Sequence, residues 1–307
     1  MSFLCKTTPE RGLVWQARFA ERLPDLPFRL WPDPKMAETR FLAAWTIPDA
    51  LPQLMPGLEV LFSIGAGIDQ LGLAAVPPSI RVVRMIEPGL VAGMVEYVAW
   101  AVLSQHRELF RYEADQRAGL WNPAPNRAPG ECRVGIMGTG TLGGACLRHL
   151  AALGFACRSW SRRPSEIEGV QGFSGPEDLD AFLAGTDILV CLLPLTDDTR
   201  HILDRRCFSR LPAGACVVNC GRGGHLVARD LIDALDSGQL SQAVLDVTEP
   251  EPLPPGHPFW RHPRIRLTPH IASDSQPQSG ADAVIENIRR YESGQPMIGE
   301  VDRRLGY

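Results

Sequence analysis

The sequence predicts an α/β protein built on a doubly wound parallel sheet, with a smaller α/β unit ahead of it. Three observations carry that expectation. From Arg133 onward, short apolar runs alternate with helix-compatible segments. Those runs are continuous rather than alternating, as in strands covered by helices on both faces. Gly138, Gly140 and Gly143 fall where the first of these strands meets the first of these helices, in the spacing G-x-G-x-x-G.

Taken in order, residues 12–23 read as a helix, and 28–31 and 41–45 as short strands. Residues 58–63 form a buried strand running into the tight loop Ile64-Gly65-Ala66-Gly67, and 80–85 are a further strand. Residues 91–110, with Val95, Val98, Ala99, Val102, Leu103 and Leu109 on an apolar face, make a connecting helix. Residues 121–130 are a loop by their Pro, Asn and Gly content, with a domain joint there or in the helix before it. The second rhythm places strands at 133–137, 155–160, 187–193, 215–219, 242–247 and 264–268. Helices fall at 142–153, 176–184 and 227–237. A last helix at 279–293 carries Ala283, Val284, Ile288 and Tyr291, and no internal repeat is visible.

A formal charge of −4 gives no global attraction to nucleic acid or an anionic membrane, and no basic stripe with interleaved aromatics is present. A small anionic substrate therefore needs a locally basic site. No apolar run approaches the about 18 residues of a membrane span. The start, Met1-Ser2-Phe3-Leu4-Cys5-Lys6, lacks the basic segment and long apolar run of a secretory leader. Eight cysteines are scattered through the chain, and Cys216 and Cys220 lack the second pair a zinc site needs. A cytoplasmic, reducing setting and no metal are expected.

The segment Arg133 to Gly143 reads strand, turn, helix. Gly138 permits the turn, Gly140 allows backbone to approach a pyrophosphate, and Gly143 allows close helix–strand packing. The amides of Thr141, Leu142 and Gly143 then open a helix whose positive end faces the phosphates. An NAD site usually has Asp or Glu at the end of the next strand. Here the residues are Trp160-Ser161-Arg162-Arg163, without a carboxylate. A 2'-phosphate would be held by Arg162, Arg163 and the Ser161 hydroxyl, which favours NADPH, with NADH as the alternative. Trp160 either covers the adenine or fills the end of the sheet.

Beyond the fingerprint, Asn219-Cys220-Gly221-Arg222-Gly223-Gly224 follows an apolar strand, at the edge where α/β sites form. Arg222 is suited to bind a carboxylate through two parallel hydrogen bonds and to polarise an adjacent carbonyl, and Cys220 joins the candidate cofactor contacts. Another strand ends in Asp246, followed by Glu249 and Glu251, and a last one ends in Thr268-Pro269-His270. Carbonyl reduction needs hydride on carbon and a proton on oxygen, and histidine suits the second task. A neighbouring carboxylate would keep the imidazole charged and oriented; spacing leaves Glu251 and Glu249 as rivals.

These pieces, together with Ser63-Ile64-Gly65-Ala66-Gly67-Ile68-Asp69, resemble the D-isomer-specific 2-hydroxyacid dehydrogenase family over essentially the whole chain. Within it the chain looks most like the bacterial A-type glyoxylate/hydroxypyruvate reductases. The cues are Met94-Val95-Glu96-Tyr97, Cys157 to Arg162, and the ending Val301-Asp302-Arg303-Arg304-Leu305-Gly306-Tyr307. The resemblance implies a Rossmann-type domain over 99–274 and a discontinuous, flavodoxin-like substrate domain over 1–98 and 275–307. It implies that Arg222 grips the substrate carboxylate, that His270 is the acid/base, and that Glu251 rather than Glu249 pairs with it. Gly65, Ala66 and Gly67 would offer backbone amides to the carboxylate, and Trp45 would close the pocket around small acids. Leu193-Pro194 would pass beneath the nicotinamide ribose, with Asp246 near the nicotinamide. Homodimers are the family's usual state.

Two residues depart from the family's habit: Gly221 where Ala is common, and Thr248 where an aromatic is frequent. Neither removes a reacting group. The expected reaction is NADPH-preferring reduction of glyoxylate or hydroxypyruvate. A different 2-oxo or 2-hydroxy acid, or a non-catalytic dinucleotide sensor, are the alternatives.

Overall fold

The computed structural model describes residues 1–306, which form two compact units. The first contains Met1–Val91 and the described residues from Asp274 on; the second is Ala92–Ser273. The first joint falls inside the helix Pro88–His106, seven residues before the position expected from the sequence, and the second falls one residue before it.

In the first unit, β1 (Ser2–Lys6), β2 (Phe28–Leu30), β3 (Thr39–Ala44), β4 (Val60–Ser63) and β5 (Arg81–Val83) form one parallel sheet. Its order is β2-β1-β3-β4-β5, the flavodoxin-like winding. Strand β1 is not among the expected strands, yet it pairs with both β2 and β3 and its Phe3, Leu4 and Cys5 are wholly buried. Three apolar residues between Ser2 and Lys6 are too few to show a period. The helix Pro9–Arg22 starts earlier than expected because Thr8 caps it, Pro9 opens it and Glu10 sits in its first turn. Its Phe19 ring lies 4.3 Å from Phe3 and 5.0 Å from Phe28. The C-terminal helix Pro277–Glu292 packs beside it, with Asp282 accepting from Arg18 Nε at 2.6 Å.

The second unit holds β6 (Arg133–Met137), β7 (Ala156–Ser161), β8 (Val170–Ser174), β9 (Ile188–Cys191), β10 (Ala215–Asn219), β11 (Leu240–Leu245) and β12 (Ile265–Leu267). All pairings are parallel, in the order β12-β11-β10-β9-β6-β7-β8. Counted from β6 this is the Rossmann order with one further strand at an edge. Strands β6 and β10 have the expected bounds. Edge strand β8 is unexpected, since Gln171 and Gly172 interrupt its apolar residues. So is the helix Arg205–Arg210, which has no apolar stripe but is capped by Asp204, accepting from the Cys207 amide at 2.8 Å. The single helix expected over 91–110 is two, Pro88–His106 and Leu109–Arg117, broken where Glu108 turns left-handed at φ 52°.

Val134, Ile136, Val190 and Val218 point to one face of this sheet, against Val98 and Leu147. Met137, Leu189, Val217 and Leu245 point to the other, against Phe182 and Phe208. Burial on both faces is why these strands read as continuous apolar runs. The cysteines are all buried and unpaired among the described residues, and burial pushes the Cys146 and Cys191 thiols up to about 12. No helix of the described residues is long and apolar enough to cross a membrane.

Candidate active site

The winding of the second sheet reverses between β6 and β9, and a doubly wound sheet opens a ligand crevice at the carboxyl ends of such strands. The glycine turn follows β6. Gly138 adopts φ +100°, and its amide donates to the Trp160 carbonyl at 2.8 Å. A side chain at Gly143 would collide with the Gly138 carbonyl, so that glycine sets how closely the helix Thr141–Ala152 approaches the turn. Nothing lies within 4 Å of where a Cβ at Gly140 would stand. The turn is thus open at the helix N-terminus, where backbone amides of Thr141, Leu142 and Gly143 can meet phosphate oxygens.

At the end of β7, the Ser161 hydroxyl donates to the Arg163 carbonyl at 2.6 Å and folds the chain into a turn. Arg162 and Arg163 are exposed on that turn. Trp160 is different. Its indole is 9% exposed, belongs to the core, and donates from Nε1 to the Gly175 carbonyl at 2.7 Å. Of the two roles open to it, the geometry matches the one that fills the sheet end; its link to the fingerprint is through its backbone. Cys220 is likewise buried, with its thiol pushed well above the ordinary range by desolvation and the nearby Asp246. Its side chain is core as well.

The Arg222 turn is built by its buried neighbours. Asn219 donates from Nδ2 to the Arg222 carbonyl at 3.0 Å, and its Oδ1 accepts the Gly221 amide at 3.1 Å. Arg222 Nη1 donates to the Gly221 carbonyl at 2.8 Å. Gly223 packs flat against the backbone of Thr248 and Glu249; any Cβ there would overlap it. That contact joins the arginine turn to the carboxylate loop after β11.

On that loop, Glu251 Oε2 lies 2.8 Å from His270 Nδ1, while Oε1 accepts the Thr248 amide at 3.0 Å. Glu249 faces elsewhere, with both its oxygens 3.1 Å from Arg200. The two carboxylates that spacing leaves as rivals are therefore separated by their partners. His270 itself sits in the left-handed region at φ 56°, a conformation that costs a non-glycine residue and persists only where surroundings impose it. Here the surroundings are Asp246. Its carbonyl accepts the His270 amide at 2.8 Å, and its carboxylate accepts from Thr268 Oγ1 and the amides of Ile271 and Ala272 at 2.6–2.9 Å. Asp246 is 2% exposed, so its evident work is to hold the histidine's loop.

Tyr97 has no role assigned by sequence, where it stands only within a motif. Its hydroxyl lies 2.6 Å from Thr268 Oγ1. Because Thr268 gives its proton to Asp246, Tyr97 is the donor to Thr268. Burial raises its pKa, keeping it a neutral phenol able to donate.

Within the first unit, β4 leads into the loop at 64–67. Ser63 Oγ donates to the Gly67 carbonyl at 2.8 Å and accepts from the Gly65 amide at 3.2 Å. The amides of Ala66 and Gly67 donate to no protein group among the described residues. Trp45, just after β3, lays its ring on Gly65, where a Cβ would come within 2.6 Å of Cζ3.

An open phosphate turn, an arginine and a carboxylate-paired histidine on one strand edge are equipment for hydride chemistry on a carbonyl acid, which puts the protein among the nicotinamide-dependent dehydrogenases. Residues 99–272 match the profile of the D-isomer specific 2-hydroxyacid dehydrogenase NAD binding domain. The chain belongs to that family. It is 38% identical, over 95% of its length and 96% of the relative's, to a glyoxylate/hydroxypyruvate reductase A of Yersinia enterocolitica. Among solved structures it is similar to a D-isomer specific 2-hydroxyacid dehydrogenase of Xanthobacter autotrophicus Py2 in complex with NADPH and MES. The TM-score is 0.95 at 36% identity, covering 100% of this chain and 99% of that one. It is also similar to an NADPH-dependent glyoxylate/hydroxypyruvate reductase of Sinorhizobium meliloti in complex with NADP and sulfate, with TM-score 0.92, 36% identity and full coverage of both chains.

Proposed function

We propose that the protein reduces a small 2-oxo acid, glyoxylate or hydroxypyruvate, with NADPH as its preferred hydride donor. The observation that carries this reading is the His270–Glu251 pair, 2.8 Å apart at the strand edge that also bears Arg222. The names and bound cofactors of the relatives support the substrate and the cofactor.

The residues fit a phosphorylated dinucleotide. Gly140 leaves the helix N-terminus open, and Arg162 and Arg163 stand on the turn where an NAD site would carry a carboxylate. When bound, NADPH supplies the hydride that C2 of the oxo acid receives. Arg222 binds the substrate carboxylate and polarises the adjacent carbonyl. His270, oriented by Glu251, donates a proton to the C2 oxygen. Glyoxylate then yields achiral glycolate, and hydroxypyruvate yields a D-2-hydroxy acid.

A panel of 2-oxo acids against NADPH and NADH, followed by nicotinamide absorbance, tests the proposal. Turnover of glyoxylate and hydroxypyruvate with NADPH is expected; no turnover of either would overturn it. Changing Arg162 and Arg163 together to Ala should raise KM for NADPH by about 10–100-fold, from the loss of charge-assisted hydrogen bonds, and leave KM for NADH within a few-fold. Equal effects on both cofactors would refute phosphate recognition.

We also propose a homodimer in a cytoplasmic setting. After the helix Leu109–Arg117 the chain carries Leu120 and Trp121, the latter 98% exposed, an arrangement suited to cover by a second copy. Light scattering should give twice the chain mass, and a monomer at working concentration would rule the dimer out.

A further inference from the structure

His225 lies between the arginine turn and the loop after β9, and neither motif nor family resemblance gives it a task. It is fully buried. Its Nδ1 accepts the Arg222 amide at 3.0 Å, and its Nε2 lies 3.3 Å from the Pro194 carbonyl. A ring nitrogen that accepts carries no proton, so the ring's proton is on Nε2 and is donated to Pro194. Gly221 makes this possible: a Cβ there would stand 2.8 Å from Nδ1. The family's more common alanine would crowd the ring in this arrangement.

The other side of Arg222 is held independently. Its carbonyl accepts from Asn219 Nδ2 at 3.0 Å and from the His225 amide at 3.2 Å. Both backbone polar atoms of Arg222 are thus anchored, and the imidazole is the only one of these anchors that also reaches the 193–194 loop. Pro194 is held from its other flank by Thr199 Oγ1, donating to the same carbonyl at 2.7 Å.

We infer that His225 is a positioning residue which, through one neutral tautomer, bridges the turn of the arginine that binds the substrate and the Leu193-Pro194 loop that binds the cofactor. The inference rests on the functional reading above for Arg222 and on the family resemblance for the role of Leu193-Pro194. Each ring nitrogen serves one segment, so removing one at a time should weaken one binding event and spare the other. A histidine that merely filled space would affect both or neither.

His225→Asn keeps an acceptor near the Nδ1 position and loses the distal donor. His225→Gln carries an amide donor to the Nε2 position and loses the near acceptor. His225→Leu loses both. The readouts are KM for glyoxylate at saturating NADPH, and Kd for NADPH by its fluorescence without substrate, with circular dichroism and melting temperature to follow folding. His225→Asn should weaken NADPH about 5–10-fold with KM for glyoxylate within twofold; His225→Gln should do the converse, and His225→Leu should lose both. Equal losses in both readouts for the Asn and Gln variants, or a change confined to melting temperature, would overturn the bridging role. Wild-type protein that turns over neither oxo acid would instead defeat the functional reading, and the NADPH measurements would still decide the Pro194 half.

Discussion

Replacing His270 by Ala should lower kcat for glyoxylate reduction by about 10²–10⁴-fold, while Kd for NADPH stays within a few-fold. The carbonyl oxygen gains negative charge as hydride arrives, and without a positioned acid it must find its proton in water. With Nδ1 held by Glu251, delivery falls to Nε2. Glu251→Gln keeps the size of the partner but exchanges a charged acceptor at Nδ1 for a neutral amide, so the ring is held less firmly and a loss of about 10–100-fold is expected. A His270→Ala enzyme with near-normal kcat across pH would remove the residue as the acid.

Arg222→Ala should cost about 10²–10³-fold in kcat/KM for the oxo acid with little change in NADPH affinity. The guanidinium is asked to hold a carboxylate and to stabilise developing charge beside it, and both tasks weaken at once. Arg222→Lys should recover only part of the loss, because an ammonium supplies charge without the two-pronged geometry. Unchanged kcat/KM in Arg222→Ala would sink the assignment. The Asn219 and His225 bonds hold this turn by its backbone and survive the truncation, whereas the Nη1 bond to the Gly221 carbonyl goes with the side chain.

Elements with a strong local signal are legible in the amino-acid sequence. Strands β6 and β10 have their expected bounds because each has an unbroken apolar stretch and ends at a glycine-containing turn. Strands β1 and β8 are not legible, since one is short and the other mixes polar residues and glycine with its apolar ones. The site divides in the same way. Arg222, His270 and a carboxylate partner at Glu249 or Glu251 can be singled out by residue type and position on a strand edge. Whether Glu249 or Glu251 faces His270 cannot be decided by spacing, because it depends on Arg200, about fifty residues earlier, taking Glu249. Trp160 is ambiguous for a similar reason: its Gly175 partner belongs to a later segment. His225 and Tyr97 carry no local signal, since their significance lies entirely in which distant atoms they meet.

The contact at Gly223 bears on how this enzyme could be altered. With Thr248 and Glu249 backbone resting on that glycine, the arginine turn and the loop carrying Glu251 behave as interlocked parts. A library that varies residue 223 will mostly sample damaged enzymes, whatever substrate is being selected.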